Sequence, residues 1–398
     1  MTADRAPRAV VVGGGIGGLA AARGLQLAGW SVRVLERATA LEPLGAGISL
    51  WPNAGRALRD LGVHLPAGPG GTPTGGGIRS RDGRFLARTH AERFPDRYGA
   101  PLQAVHRAEL HGALLASLAP GTAVLGAPVL EVESDSDSVR VRHGGGEERA
   151  ELVVLADGLS STARALVTGP GPRPRYAGYT AWRAVAPAGV EPAGLGGATE
   201  SWGRGERFGI VPLTDGRLYW FATANVPEHG RSPDGEHAEV LRRFSDWHAP
   251  IPDVVRATAR GEVLRHDVYD LRPHPRSYIS GRLVLLGDAA HAMSPDLGQG
   301  ACQAIEDAAT LRALLPAGGD VDAGLEAYDR LRRPRARRIA GRSAQLGRLG
   351  QLEGRLTSAA RDLVVRWTPD PLTERQLDGV LRWRPPSAPG AGRTASRS

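Results

Sequence analysis

Residues 9–36 read AVVVGGGIGGLAAARGLQLAGWSVRVLE, and this stretch decides the fold. Residues 9–12 are a short β-branched run that suits a strand buried in a parallel sheet. Residues 16–28 are rich in Ala and Leu and read as a helix, with Gly29 where a helix would stop. Ser31–Leu35 returns as a second strand that ends at Glu36. The turn between strand and helix, Gly13-Gly14-Gly15-Ile16-Gly17-Gly18, contains G-x-G-x-x-G. Alone that motif is weak. Here it follows a strand, opens a helix, and precedes an acidic strand end 23 positions after Gly13, which is the setting of a dinucleotide-binding βαβ unit. Gly13 permits the tight turn, Gly15 lets the backbone approach a pyrophosphate, and Gly18 allows close helix–strand packing. The helix N-terminus offers amides and a positive dipole end to phosphates, and Glu36 can accept from a ribose.

Working outward, 398 residues suggest two or three domains at roughly 100–200 residues each. A hydrophobic content of 41% supplies a core. The 54 Gly and 30 Pro stay short of the roughly 25–30% at which low-complexity character takes over. A single cysteine, Cys302, excludes an intramolecular disulfide, a dithiol relay, a Cys-rich zinc site and an iron–sulfur cluster; no metal site is expected. All 50 basic residues are arginine, which removes lysine Schiff-base chemistry and a phosphate-loop lysine. The formal charge of +8 and pI near 10.4 come with no nucleic-acid-binding signature, so the charge is read as an attraction for anionic small molecules. No stretch of about 20 apolar residues is free of charge, and the apolar residues 9–30 carry glycines and Arg23. Neither a membrane span nor a signal peptide is expected, and the location expected is cytoplasmic.

Further along, residues 64–77 are Gly/Pro-rich loop, 107–118 a helix, 138–143 an edge strand of alternating polarity, and 152–156 a buried strand followed by Asp157-Gly158. Residues 176–186, 206–213 and 217–224 are aromatic-rich strands, the last two joined by Thr214-Asp215-Gly216, and they predict an antiparallel sheet beside the nucleotide-binding one. Residues 282–287 return as a buried strand, 299–315 as a helix, and the chain is helical from 322 to about 366. The Arg-rich run 330–348 reads as a solvated or interdomain helix face.

Three stretches make the reading specific: GAGISLWPNAGRALRDL at 45–61, DGLSSTAR at 157–164, and GDAAHAMSPDLGQGACQAIED at 287–307. Together with the fingerprint, from residue 9 to about 348, they resemble the single-component FAD-dependent monooxygenases of the p-hydroxybenzoate/salicylate hydroxylase type. The resemblance implies an α/β protein. The expected organisation is a Rossmann-type FAD-binding domain (1–75, 100–172 and 280–335), an inserted antiparallel-sheet substrate domain (76–99 and 173–279) and C-terminal helices (336–384), while the Pro/Gly/Ser/Ala composition of 385–398 reads as a disordered tail. It implies that Gly13, Gly15, Gly17 and Gly18 take the dinucleotide, Glu36 and Arg37 the adenosine ribose end, Ser49 and Arg107 the flavin's other side, and Val129 a backbone contact near the adenine. Asp157 would serve both FAD and the incoming NADPH or NADH, Asp288 the ribityl chain, and Gly298-Gln299-Gly300 the flavin ring. Asp157 also fits a plain Asp-Gly turn, and His291 reads as structural.

A family of this kind reduces FAD with NAD(P)H, adds O2 to give a flavin C4a-hydroperoxide, and hydroxylates a small electron-rich aromatic or heteroaromatic ring. On the substrate side, alternation puts Arg207, Gly209 and Val211 on one face, and Tyr219 and Phe221 share a face in the next strand. Arg207 and Tyr219 resemble the substrate-contacting pair of the flavin-dependent urate hydroxylases, where the guanidinium would fork onto a substrate anion and the phenol would bond a ring hydroxyl. A cross-strand packing pair is the structural alternative, and Trp182-Arg183 is read as structural. Epoxidation or oxygenation of a non-aromatic scaffold, an isoprenoid-type flavin reductase and a silent FAD-binding protein remain open alternatives.

Overall fold

The computed structural model describes residues 6–40, 46–65, 75–135, 137–190 and 197–386. Parts of the expected loop at 64–77 and tail at 385–398, and Gly45, lie outside them.

The strand Arg8–Val12 is the centre of a six-stranded sheet. Leu152–Leu155 lies parallel on one side and Ser31–Leu35 parallel on the other, with Val10 opposite both Val153 and Arg33. Leu283–Leu285 and Ala123–Val124 extend the parallel order outward, and Ile279–Ser280 closes one edge antiparallel. Residues 9–12, 152–155 and 283–285 are buried throughout, which is why they read as unbroken apolar runs. The helix Ile16–Leu27 packs between this sheet and the helix Gly300–Leu314.

A three-stranded antiparallel sheet stands beside it, formed by Val129–Ser134, Val139–His143 and Gly146–Ala150. The segment at 138–143, expected at an edge, is its middle strand. Its alternation arises because Val139 and Val141 enter the main core while Arg140 and Arg142 face solvent.

The seven-stranded sheet runs in the order Leu264–Arg272, Arg173–Ala186, Leu218–Ala224, Glu206–Pro212, Ala198–Trp202, Gly76–Ser80, Phe85–Arg88. It is antiparallel except where Ala198–Trp202 runs parallel to Gly76–Ser80, so Gly76 and Gly77 belong to a strand and not to the loop. The expected turn at 214–216 is present: Leu213 N donates to Arg217 O, and Asp215 Oδ1 accepts from Arg217 N at 3.0 Å. One face carries Trp182, Phe208, Ile210 and Trp220 into a core closed by the helices Glu236–Phe244 and Ile251–Ala257. The opposite face, with Arg183, Val185, Arg207, Val211, Tyr219 and Phe221, turns toward the nucleotide-binding half. Between the halves lies a two-stranded sheet, Gly47–Leu50 with Gln103–His106, and Thr214 N donates to Ala104 O across the joint at 2.8 Å.

The C-terminal segment is three helices, Val321–Gly350, Arg355–Trp367 and Asp370–Leu381. The expected continuous helix to 366 breaks at 351–354 because backbone groups there turn to the seven-stranded sheet. Leu352 O accepts from Gly205 N, and Gln351 O accepts from Asn225 Nδ2. The Arg-rich run is also not simply a solvated face: Arg332 is fully buried.

Candidate active site

The fingerprint turn is built by contacts that only glycine permits. Gly13 has φ of +104°, and a Cβ there would sit 2.5 Å from Ala156 O. A Cβ on Gly18 would sit 1.9 Å from Gly13 O, so the helix starts hard against the turn. A Cβ on Gly17 would press on Leu286 and Ala304, while the space in front of Gly15 is open. Glu36 is held by two amides, Gly14 N at 2.6 Å and Ala38 N at 2.9 Å, and keeps lone pairs for a ribose. His111 Nε2 meets Gly14 O at 2.7 Å. Arg37 is exposed beside this end. Gly126 N and Ala127 N bond to Ala38 O and Glu36 O, and Val129 begins its strand two residues later.

At the other end, Asp288 opens the short helix Asp288–His291 and is exposed although its neighbours are buried. Its placement comes from Asp307, whose Oδ2 accepts from Gly287 N at 3.0 Å and meets His291 Nε2 at 2.6 Å. Arg332 donates to Asp307 and Glu306 from Nε and Nη1 at 2.6 and 2.5 Å. Burial opposes ionisation of both carboxyls, yet His291 and the arginines hold them below the ordinary range. Glu306 also accepts from Asn53 and Arg335. His291 is thus structural.

Arg164 ties the Asp157 turn to the Asp288 helix, donating to Ala289 O at 2.7 Å and Leu159 O at 2.6 Å. Asp157 Oδ1 is buried without a hydrogen-bond partner. Gln299 turns its side chain inward to Asn53 and Gln303, so what Gly298-Gln299-Gly300 presents outward is backbone. The helix beginning at Gly300 has no acidic residue in its first turn. Trp51 Nε1, beside Gly298, also lacks a partner. Ser49 sits in the adjoining two-stranded sheet, and Arg107 follows it, exposed. Cys302 is buried, which pushes its thiol up to about 12 and leaves it inert. Among the described residues no group of three or more His, Cys, Asp or Glu could hold a metal ion.

These features fit FAD. Open space at Gly15, two helix N-termini without acidic side chains, an outward Asp288 and the orphaned Asp157 oxygen match a pyrophosphate, a ribityl chain and a flavin edge. The chain matches the family described as FAD binding domain over residues 7–343. It belongs to the FAD-dependent monooxygenases. It is 40% identical over 359 residues to aurachin C monooxygenase/isomerase of Stigmatella aurantiaca, covering 90% of this chain and 93% of the relative. It is 38% identical over 383 residues to 3-amino-4-hydroxybenzoate 2-monooxygenase of Streptomyces cremeus, covering 92% and 94%. The crystal structure of Klebsiella pneumoniae HpxO with FAD and uric acid superposes with a TM-score of 0.85 at 29% identity, covering 94% and 96%.

The seven-stranded sheet packs against the two-stranded sheet of this cradle. Tyr219 lies against Gly47, where a Cβ would sit 2.3 Å from its ring. Arg207 and Tyr219 share the face turned toward the nucleotide-binding half but are not directly opposed: Tyr219 pairs with Val211, and Arg207 with Thr223. Arg207 is buried and already engaged. It donates to Gln351 Oε1 at 3.0 Å, Glu200 Oε1 at 3.0 Å and Asp296 Oδ1 at 2.6 Å. Tyr179 donates to the same Asp296 at 2.9 Å. Gly347 and Gly350 make room for this cluster, since a Cβ at either would press on Asp296 or Arg207. Burial raises the Glu200 carboxyl above its usual range. Where a substrate anion was expected, Arg207 therefore meets protein carboxylates. The cation beside Tyr219 is Arg183, half-buried on the same face and without a hydrogen bond or ion pair among the described residues. Its alternation with the core residue Trp182 gave the signal: one of the two must face the site.

Proposed function

We propose that this enzyme is an NAD(P)H-dependent monooxygenase that hydroxylates a small aromatic or heteroaromatic anion. The observation that carries the reading is the juxtaposition of a flavin cradle with a wall bearing Tyr219, Arg183, Arg107 and His266. Burial lifts the Tyr219 phenol while Arg183 and Arg107 oppose the rise; burial and the same two arginines lower His266. The wall is cationic through its arginines, with a neutral phenol as donor. The bound flavin supplies hydride acceptance and delivery of one oxygen atom from O2. The chain's own residues do the rest.

Asp288 would hold the ribityl chain, and the start of the Gly300 helix, with no acidic residue in its first turn, would favour negative charge on a flavin bound there. Asp157, through its unpartnered Oδ1, would serve FAD and the nicotinamide nucleotide. Arg183 holds the substrate's anionic group. Tyr219 donates to a ring oxygen. Arg207, fixed by Asp296, Glu200 and Gln351, positions the sheet against the nucleotide-binding half and does not itself hold the substrate's charge. A relative named for a hydroxybenzoate and a structural neighbour holding uric acid support a ring-bearing anion. The test is oxygen and NAD(P)H consumption by the yellow holoenzyme over a panel of aromatic carboxylates, phenols and purine-like anions, with product quantified. Coupled hydroxylation of an anionic ring is expected. Consumption without any oxygenated product across the panel would contradict it.

A further inference from the structure

The helix Arg355–Trp367 is inverted relative to an ordinary surface helix, whose apolar stripe faces inward. Its inward side is polar. Ser358 donates to Leu352 O, and the buried Arg361 donates to Gly350 O at 3.0 Å and Gly203 O at 2.9 Å while lying over Trp202. Its outward side carries Leu356, 84% exposed, Leu363, 58%, Val364, 64%, and Trp367, 76%. At about 100° per residue these four fall on one face, with the exposed Ala360 between them and the exposed Ala359 at its edge. Leu372 on the next helix adds a fifth exposed apolar side chain. A contiguous patch of this kind marks an interaction surface.

The charge around the stripe selects its occupant. Residues 336–384 hold ten arginines against five carboxylates. Arg355 and Arg366 border the stripe on one flank, and Arg348, Arg375, Arg382 and Arg384 are exposed elsewhere in the C-terminal segment. A second copy docked here would set this positive excess against itself. An anionic lipid surface complements it, and a helix with Trp and Leu on one side and flanking arginines has the composition of one lying in a bilayer interface. No described helix is long and apolar enough to cross a membrane, so the contact is peripheral. We propose that this helix docks the enzyme on anionic membrane surfaces, with the Leu356–Trp367 side inserted between headgroups and the arginines on lipid phosphates.

The helix is also mechanically linked to the site. Gln351, in the link preceding it, accepts from Arg207, so docking holds the substrate sheet near the bilayer.

The test is flotation of the FAD-loaded protein with vesicles of phosphatidylglycerol and phosphatidylcholine, against phosphatidylcholine alone. Wild type should float with the anionic vesicles, and high salt should weaken the binding. A Leu356→Ser/Trp367→Ser variant should lose about tenfold or more of the partitioning. It should keep full flavin content and wild-type turnover in solution, because neither residue contacts the site. Wild type that fails to float, or a variant that floats equally well, overturns the proposal. So does a wild-type dimer in sedimentation velocity that the variant converts to monomer, which would assign the stripe to a second copy.

Discussion

Two buried arginines divide this molecule. Arg332 and Arg207 each bind two carboxylates, Glu306 with Asp307 and Glu200 with Asp296, but they serve different ends. The Arg332 cluster lies wholly within the nucleotide-binding half and its helices, every partner is buried, and it fixes Gly287 and hence the outlook of Asp288. The Arg207 cluster joins three parts of the chain: the substrate sheet, the 295–297 turn beside the flavin cradle, and the end of the long helix. One carboxylate of it, Glu200, retains 23% exposure and has its pKa raised by burial. The first is a scaffold that holds the cofactor site rigid. The second is a joint whose charge balance can adjust by taking up a proton when its partners change.

The difference predicts unequal responses. Asp307→Ala strands Arg332 in the core and frees the Gly287 amide, so urea unfolding should register a loss of about 3–5 kcal/mol; a loss below about 1 kcal/mol, the scale of an exposed pair, would break the scaffold reading. Asp288→Ala removes only the outward carboxylate. Flavin affinity should fall by about 1.5–3 kcal/mol with the apoprotein's stability unchanged, and full occupancy at dilute protein and flavin would count against its role. Arg207→Gln should raise the substrate's apparent KM by about one to two orders of magnitude, or about 1.5–3 kcal/mol. It should keep its flavin and lose less stability than Asp307→Ala, because Tyr179 still bonds Asp296 and Glu200 can protonate. Tyr219→Phe has the smallest effect, a KM increase of about two- to tenfold for one neutral hydrogen bond. Because the Tyr219 phenol is raised, its removal should leave the pH–rate profile between about pH 6 and 9 unchanged; a lost ionisation there would make Tyr219 a base.

The same division explains what could be read from the sequence. The nucleotide-binding half needs glycine where backbone meets backbone, as at Gly13 against Ala156 O, and acids at strand ends, so Glu36, Asp157 and Asp288 stand out by position. Arg164, Asn53 and Asp307 lay inside the quoted stretches, but nothing local says that an Arg in a turn braces a helix more than a hundred residues away. In the substrate sheet, alternation sorted the faces correctly. It could not say that Arg207 would meet Asp296 and Glu200, since those partners arrive through tertiary packing with no fixed spacing. Nor could a run of arginines at 330–348 reveal that Arg332 alone turns fully inward.

The separation of flavin grip from substrate charge recognition is tested most directly on Arg183→Gln, with FAD occupancy and KM measured on one preparation for aromatic carboxylates and their methyl esters. Full occupancy, a KM increase of about tenfold or more for the carboxylates and unchanged kinetics for the esters are the expected result. Loss of flavin, or an equal penalty on acids and esters, would contradict it.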